Sequence, residues 1–270
     1  MKTIRSLHFY PIACDGVVAF RTTRHGGCGS GAYATFNCTP YTGDEPAVVR
    51  ANQEMLCRLL GIPFGRLIIP YQTHSCNILS VDEDFMRLSP EVRHAMLQGK
   101  DAVITDIGGL CLCVSTADCI PVLLYDVVHG AVAAVHAGWR GTVGGIVTRT
   151  LSAMHRVYGT DASDVHAVIG PGISLAAFEV GTEVYEAFRN GGFDMGEIAC
   201  WYPDKKKFHL DLPTANRLLL IDAGVSGNRI YDSRICTYTQ HCDYFSARRL
   251  GVKSGRILNG IMLNGKKDSF

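Results

Sequence analysis

Four short apolar runs crowd residues 101–105, 110–115, 121–125 and 131–136, with almost no chain between them. Each is bounded by Gly, Asp or Pro and is too short for a helix, so each reads as a buried strand. Strands this uniformly apolar must be covered on both faces, so the rest of the chain has to supply layers around them. A helical pattern follows over 142–158, carried by Val143, Ile146, Val147, Leu151 and Met154 and ended by Gly159. Residues 165–169 form a further strand. Upstream, 17–20 reads as a strand, and 46–60 as a helix capped by Asp44, with Pro46 in its first turn and Gly61 at its end. Short strands at 67–69 and 78–81 flank Gln72-Thr73-His74-Ser75, and two more helices fall at 182–189 and 212–223. Strands pair locally first and helices intervene later. That order predicts an α/β (α+β) fold with mixed sheets inside and helices outside, not a regular βαβ repeat. No linker, repeat or low-complexity tract interrupts the 270 residues, so 1–270 reads as a single domain.

Composition excludes several functions. The chain carries 26 basic and 25 acidic residues, a formal net charge of +1, and its one compact basic run is Lys205-Lys206-Lys207. A nucleic-acid partner would ask for a basic excess. No run of about 18 apolar residues is present, so no membrane span is expected. His8, Pro11 and Asp15 break up any secretory h-region, which predicts a cytoplasmic protein with reduced thiols. Most of the 11 cysteines then read as small buried apolar residues. No C-x-x-C pair, dinucleotide fingerprint, Walker loop, G-x-S-x-G elbow, H-x-E…P-C-x-x-C deaminase signature or H-E-x-x-H motif occurs. No His-x-His pair occurs either, which argues against a multicopper centre. Nothing in the chain indicates an obligate protein partner.

A dispersed constellation remains: His74, Cys119 and His136. Cys119 lies in Ala117-Asp118-Cys119-Ile120-Pro121, between two apolar strands, and His136 ends the next strand 17 residues later. Two strands joined by a turn around Val128-His129-Gly130 would bring the thiol and the imidazole together. His74, in its polar Thr-His-Ser setting, could complete a three-ligand metal site with one open position. The same residues admit two other readings. Cys119 could be the nucleophile, and His136 the base, of a metal-free cysteine hydrolase or amidase. The many thiols could also serve redox or metal storage.

Further motifs carry a resemblance. They are Thr23-Arg24-His25-Gly26-Gly27 with residues 33–37, Gln72-Thr73-His74, Asp101-Ala102, residues 117–126, and His136-Ala137-Gly138-Trp139-Arg140-Gly141. Later come residues 169–173, Phe178-Glu179-Val180-Gly181, Cys236-Thr237-Tyr238 and residues 245–249. In these stretches the sequence resembles the YfiH/YlmD-type proteins, long labelled polyphenol oxidase or laccase-like and understood as purine nucleoside phosphorylases with adenosine deaminase activity. The resemblance implies two packed mixed β-sheets flanked by helices. It implies a catalytic zinc on His74, Cys119 and His136; Cu²⁺, which exceeds Zn²⁺ in affinity for nitrogen and sulfur donors, could replace it adventitiously. It also implies purine nucleosides and phosphate as reactants: phosphorolysis of adenosine, inosine, guanosine and 5′-methylthioadenosine, and deamination of adenosine. For that chemistry Glu179 and Asp118 are candidate proton shuttles. Arg24 with the amides of Gly26 and Gly27, or else Arg140, could hold an oxyanion. Tyr33, Trp139 or Phe178 could stack on a purine.

Overall fold

A computed structural model describes residues 6–265 apart from 13 and 15. The strands are β1 (Leu7–Phe9), β2 (Val17–Thr22), β3 (Leu67–Ile68), β4 (Ile78–Ser80), β5 (Ala102–Thr105), β6 (Cys111–Thr116), β7 (Ile120–Asp126), β8 (Ala131–Ala137), β9 (Val165–Ile169), β10 (Glu179–Val180), β11 (Ala199–Tyr202), β12 (Lys207–Leu210), β13 (Ile230–Asp232) and β14 (Ile257–Leu263). The helices are α1 (Pro46–Leu60), α2 (Glu83–Arg87), α3 (Pro90–Met96), α4 (Trp139–Val143), α5 (Ile146–Tyr158), α6 (Thr182–Asn190), α7 (Met195–Ile198), α8 (Leu212–Asp222) and α9 (Ala247–Leu250).

The strands build a six-stranded sheet, β13-β9-β7-β8-β5-β4, and a five-stranded sheet, β1-β2-β14-β6-β3. Both are mixed, with parallel pairs β4·β5, β13·β9 and β3·β6 among antiparallel ones. A small antiparallel sheet, β10-β12-β11, lies apart from them. The period-two alternation of side chains decides the layering. Leu112 and Val114 of β6 meet Leu123, Tyr125, Val132 and Ala134 of β7 and β8, so the two large sheets pack face to face. Cys111 and Cys113 point the other way, into a cluster with Phe20, Leu258 and Leu56 of α1. The opposite face of the six-stranded sheet buries Val122, Leu124, Ala133 and Val135 against Ile146, Leu151 and Met154 of α5 and Leu212 and Leu220 of α8. The result is a helix–sheet–sheet–helix stack. Its two central strands, β7 and β8, are buried at every residue, as their unbroken apolar runs require.

Three expectations need correction. The helix read over 142–158 is two helices: Gly145, at φ +70°, turns the chain between Val143 and Ile146. Asp44 does not cap α1. Glu45 holds the cap position, and Asp44 instead accepts from the Glu45 amide and from Asn37. The sequence reading assigns no element to 257–263, yet β14 lies at the centre of the five-stranded sheet. Its Asn259-Gly260 pair has the look of a turn. Here the Asn259 amide is satisfied by Tyr10 Oη and Thr116 Oγ1, and Gly260 leaves room for the Phe20 ring and the Cys113 sulfur.

Candidate metal centre and cavity

The antiparallel register of β7 and β8 pairs Pro121 with His136 and Ile120 with Ala137. Cys119, one residue ahead of β7, therefore lies beside the end of β8. His74 comes from the turn between β3 and β4. Cys119 Sγ is 3.8 Å from His74 Nε2, and one donor atom from each of the three residues lies within 4.8 Å of the others. Ligands about 2.0–2.3 Å from a tetrahedral ion stand roughly 3.5 Å apart, so two imidazoles and a thiol at this spacing fit a single divalent metal. Among the described residues this is the one group of three His, Cys, Asp or Glu donors that converges.

Asp101 builds the site, although the sequence reading gave it no role. It is fully buried. Its Oδ1 sits 2.8 Å from His136 Nδ1, which leaves Nε2 of that ring as the free donor. The same carboxylate accepts from the amides of Thr73, His74 and Ser75 and from the Ser75 hydroxyl. One acid thus fixes two of the three donor residues, which lie 62 residues apart in the chain. The turn it gathers holds His74 at φ +60°, a conformation a non-glycine residue keeps only under such constraint.

The charges follow from these contacts. Burial alone would raise the Cys119 thiol, but His136 and then His74 outweigh it and bring it to about 6. Burial would lower His136, but Cys119 and Asp101 push it up to about 9. Burial would raise Asp101, but His136 and Ser75 bring it to about 2. The two shifts run in opposite directions and share one cause, the mutual attraction of a Cys119 thiolate and a protonated His136.

Gly138 closes one side. A Cβ built there would stand 2.9 Å from His74 Cδ2 and 3.0 Å from Cys119 Sγ. Both neighbours belong to the donor set, so a shift of either would disturb its spacing. Gly138→Ala is expected to lower metal affinity at least roughly tenfold while the protein still folds cooperatively, because metal sites respond strongly to small displacements of their surroundings. Metal titration and thermal melting check this, and wild-type metal affinity would show that the ligands can shift freely.

The three ligands lie in the wall of a cavity of about 310 Å³ that also includes Tyr41, Tyr71, Gln72, Ser115 and Arg256. Tyr41 and Tyr71 meet edge to face, with ring centroids 4.9 Å apart. Of the aromatic candidates named from sequence, Tyr33, Trp139 and Phe178, none lines this cavity. The other sequence candidates also lie off its wall. Arg24 donates from Nε to the carbonyl of Ala34 (2.9 Å) and from Nη1 to that of His241 (2.8 Å), with its guanidinium over the Phe245 ring. The Gly27 amide donates to Thr35 Oγ1, and Gly26 makes a left-handed turn at φ +85°. These residues close the loop between β2 and α1. Arg140 is exposed and lies over the Trp139 ring. Asp118 accepts from Thr237 Oγ1 at 2.7 Å and from the Arg248 amide at 2.6 Å. Glu179, in β10, accepts through its carbonyl from Arg248 Nη1. The Asp118 carboxylate and the Glu179 main chain thus both bind Arg248 in α9, whose Ala247 does line the cavity.

Comparison with known proteins places these features. Residues 18–264 match the family model described as "Multi-copper polyphenol oxidoreductase laccase". The chain is 54% identical over 245 residues to a purine nucleoside phosphorylase of Bacteroides thetaiotaomicron, covering 91% of each protein. It is 42% identical over 247 residues to adenosine deaminase RL5 of an unknown prokaryotic organism, covering 92% of this chain and 94% of that protein. The crystal structure of YlmD from Geobacillus stearothermophilus superposes with a TM-score of 0.88 at 30% identity, covering 98% of both chains.

Proposed function

The chain belongs to the YfiH/YlmD family, and we propose that it is a zinc-dependent purine nucleoside enzyme that cleaves nucleosides with phosphate and deaminates adenosine. The observation that carries this reading is the His74–Cys119–His136 donor set opening into a cavity beside two tyrosine rings. The nucleosides in view are adenosine, inosine, guanosine and 5′-methylthioadenosine.

A zinc ion held by His74, Cys119 and His136 would supply Lewis acidity and make hydroxide available near neutral pH. The chain's own residues do the rest. Asp101 keeps the His136 Nδ1 proton in place, so the ring presents Nε2. Tyr71, 40% exposed at the mouth, and Tyr41 behind it offer aromatic faces to a purine. Gln72 is bound to the backbone of Ser115 through both its amide nitrogen and its carbonyl oxygen, so these two wall residues are held together. Asp118, with both carboxylate oxygens engaged, docks α9 against the cavity, and we assign it to positioning that helix rather than to proton transfer.

The direct test incubates purified, metal-quantified protein with adenosine. Without phosphate, inosine and ammonia are expected; with phosphate, a free base and ribose 1-phosphate. Recovery of unchanged adenosine in both arms would reject the reading. The laccase description favours a second reading, copper-dependent phenol oxidation. One three-donor cluster holds one ion, and a single copper cannot gather the four electrons that reduce oxygen to water. Cu²⁺ exceeds Zn²⁺ in affinity for nitrogen and sulfur donors, so phenol oxidation is expected only after copper loading, far below nucleoside turnover, and absent in His136→Ala. Efficient oxidation with several coppers per chain would decide for the second reading.

A further inference from the structure

We propose that Arg256, with the hydroxyls of Thr39 and Ser115, forms the subsite that holds inorganic phosphate; the inference rests on the purine nucleoside reading above. Arg256 belongs to no motif singled out from the sequence. It stands just before β14, whose pairing of Ile257 with Thr116 sets Arg256 across from Ala117, two residues from Cys119. It shares the cavity wall with all three metal-site residues.

Its guanidinium is held but not neutralised. Nη1 donates to the carbonyls of Ser254 (2.7 Å) and Gly255 (2.9 Å), and Nη2 to that of Val252 (3.1 Å). Among the described residues no carboxylate pairs with it, and its Nε–H has no protein acceptor. Burial pushes its pKa down, while Cys119 and Asp118 draw it back up. A partly buried cation whose partners are carbonyls is completed by an anion, and a planar guanidinium fork matches phosphate oxygens.

The two hydroxyls are an independent observation. Thr39 is 1% exposed, and its Oγ1 is buried without a hydrogen-bond partner; Ser115 Oγ is in the same condition. Both residues line the cavity. Buried polar groups in a folded protein are almost always paired, and two unpaired hydroxyls in one cavity wall point to a ligand that pairs them. Their positions are fixed relative to Arg256. Buried Asn37 accepts from the Arg256 amide and donates to the Thr39 carbonyl, and Gln72 clamps the Ser115 backbone.

In the reaction served by this subsite, a hydrogen phosphate oxygen bonds to the sugar C1′ as the C1′–N9 bond breaks. The bonding pair leaves with the purine, and the phosphate proton passes to the base. The products are ribose 1-phosphate and free purine.

The test measures binding of inorganic phosphate to the metal-loaded protein by calorimetry, with the phosphate and nucleoside KM values in parallel. Arg256→Gln is expected to weaken phosphate binding about 10- to 100-fold and raise the phosphate KM alike, with less than about a threefold change in nucleoside KM. Arg256→Lys should fall between, since it keeps charge but loses the fork. Arg256→Gln could loosen residues 252–256, so Thr39→Val provides a second measurement. It should lose about 3- to 10-fold in phosphate affinity without lowering the melting temperature, since the hydroxyl has no protein partner to lose. The proposal is overturned if the wild type binds no phosphate, if the nucleoside KM rises instead, or if phosphate affinity follows Arg24→Gln rather than Arg256→Gln. If phosphate binds through Arg256 but no purine nucleoside is cleaved, the functional reading fails and the anion subsite stands.

Discussion

A Cys119→Ala variant is expected to lose its metal and, with it, both phosphorolysis and deamination. Cys119 supplies the one sulfur of the donor set, and its thiol is brought down to about 6 by the two imidazoles that share the site. Alanine leaves two neutral nitrogens, which hold a divalent ion far less firmly than a set that includes a thiolate. Removing a hydrogen-bond partner that merely orients a ligand costs about 10- to 100-fold in affinity, so removing the ligand should exceed about 100-fold. The comparison is Cys113→Ala. Cys113 is fully buried in the layer between the five-stranded sheet and α1, so its loss should cost stability of about 1 kcal/mol and leave metal content intact. Metal analysis and both assays on the two variants decide the matter. Full metal and activity in Cys119→Ala would remove the thiol from the site. Activity that survives metal removal but needs Cys119 would instead favour a cysteine hydrolase with His136 as base.

Asp101→Asn is expected to damage both the site and the fold. The carboxylate accepts from His136 Nδ1, from three successive amides and from a hydroxyl. Asparagine can accept at one oxygen only, and its NH₂ would face groups that are themselves donors. Metal affinity should fall about 10- to 100-fold as the His136 ring and the 73–75 turn lose their anchor. Stability of the metal-free protein should fall by about 3 kcal/mol, the scale of breaking a buried charged pair. Melting in chelator separates the second effect from metal binding. Wild-type values in both measurements would mean that neighbouring packing alone orients the ligands.

The meeting of His74, Cys119 and His136 was legible because its geometry is nearly local. Cys119 and His136 bracket two adjacent strands with a short turn, and an antiparallel register leaves their ends side by side. The cysteines of β6 were legible as packing residues for a similar reason, since alternation on a strand places Cys111 and Cys113 on one face. Which arginine and which aromatic rings line the cavity was not legible. Arg24 sits in a glycine-rich loop, a common setting for oxyanion binding, but its contacts with Ala34 and His241 hold it off the cavity wall. His241 lies 217 residues away, and nothing local to Arg24 encodes that contact.

By itself the sequence determined the buried strands, the principal helices and the convergence of His74, Cys119 and His136, because hydrophobic period and short-range pairing act over a few residues or one turn. The tertiary structure alone decided that β14 occupies the middle of a sheet and brings Arg256 to the cavity. It alone decided that Asp101 unites His74 with His136, and that Tyr41 and Tyr71, rather than Tyr33, Trp139 or Phe178, face the metal site. Each of these depends on strands and loops far apart in the chain meeting when the sheets stack, and that closure leaves no periodic trace in the residues it joins.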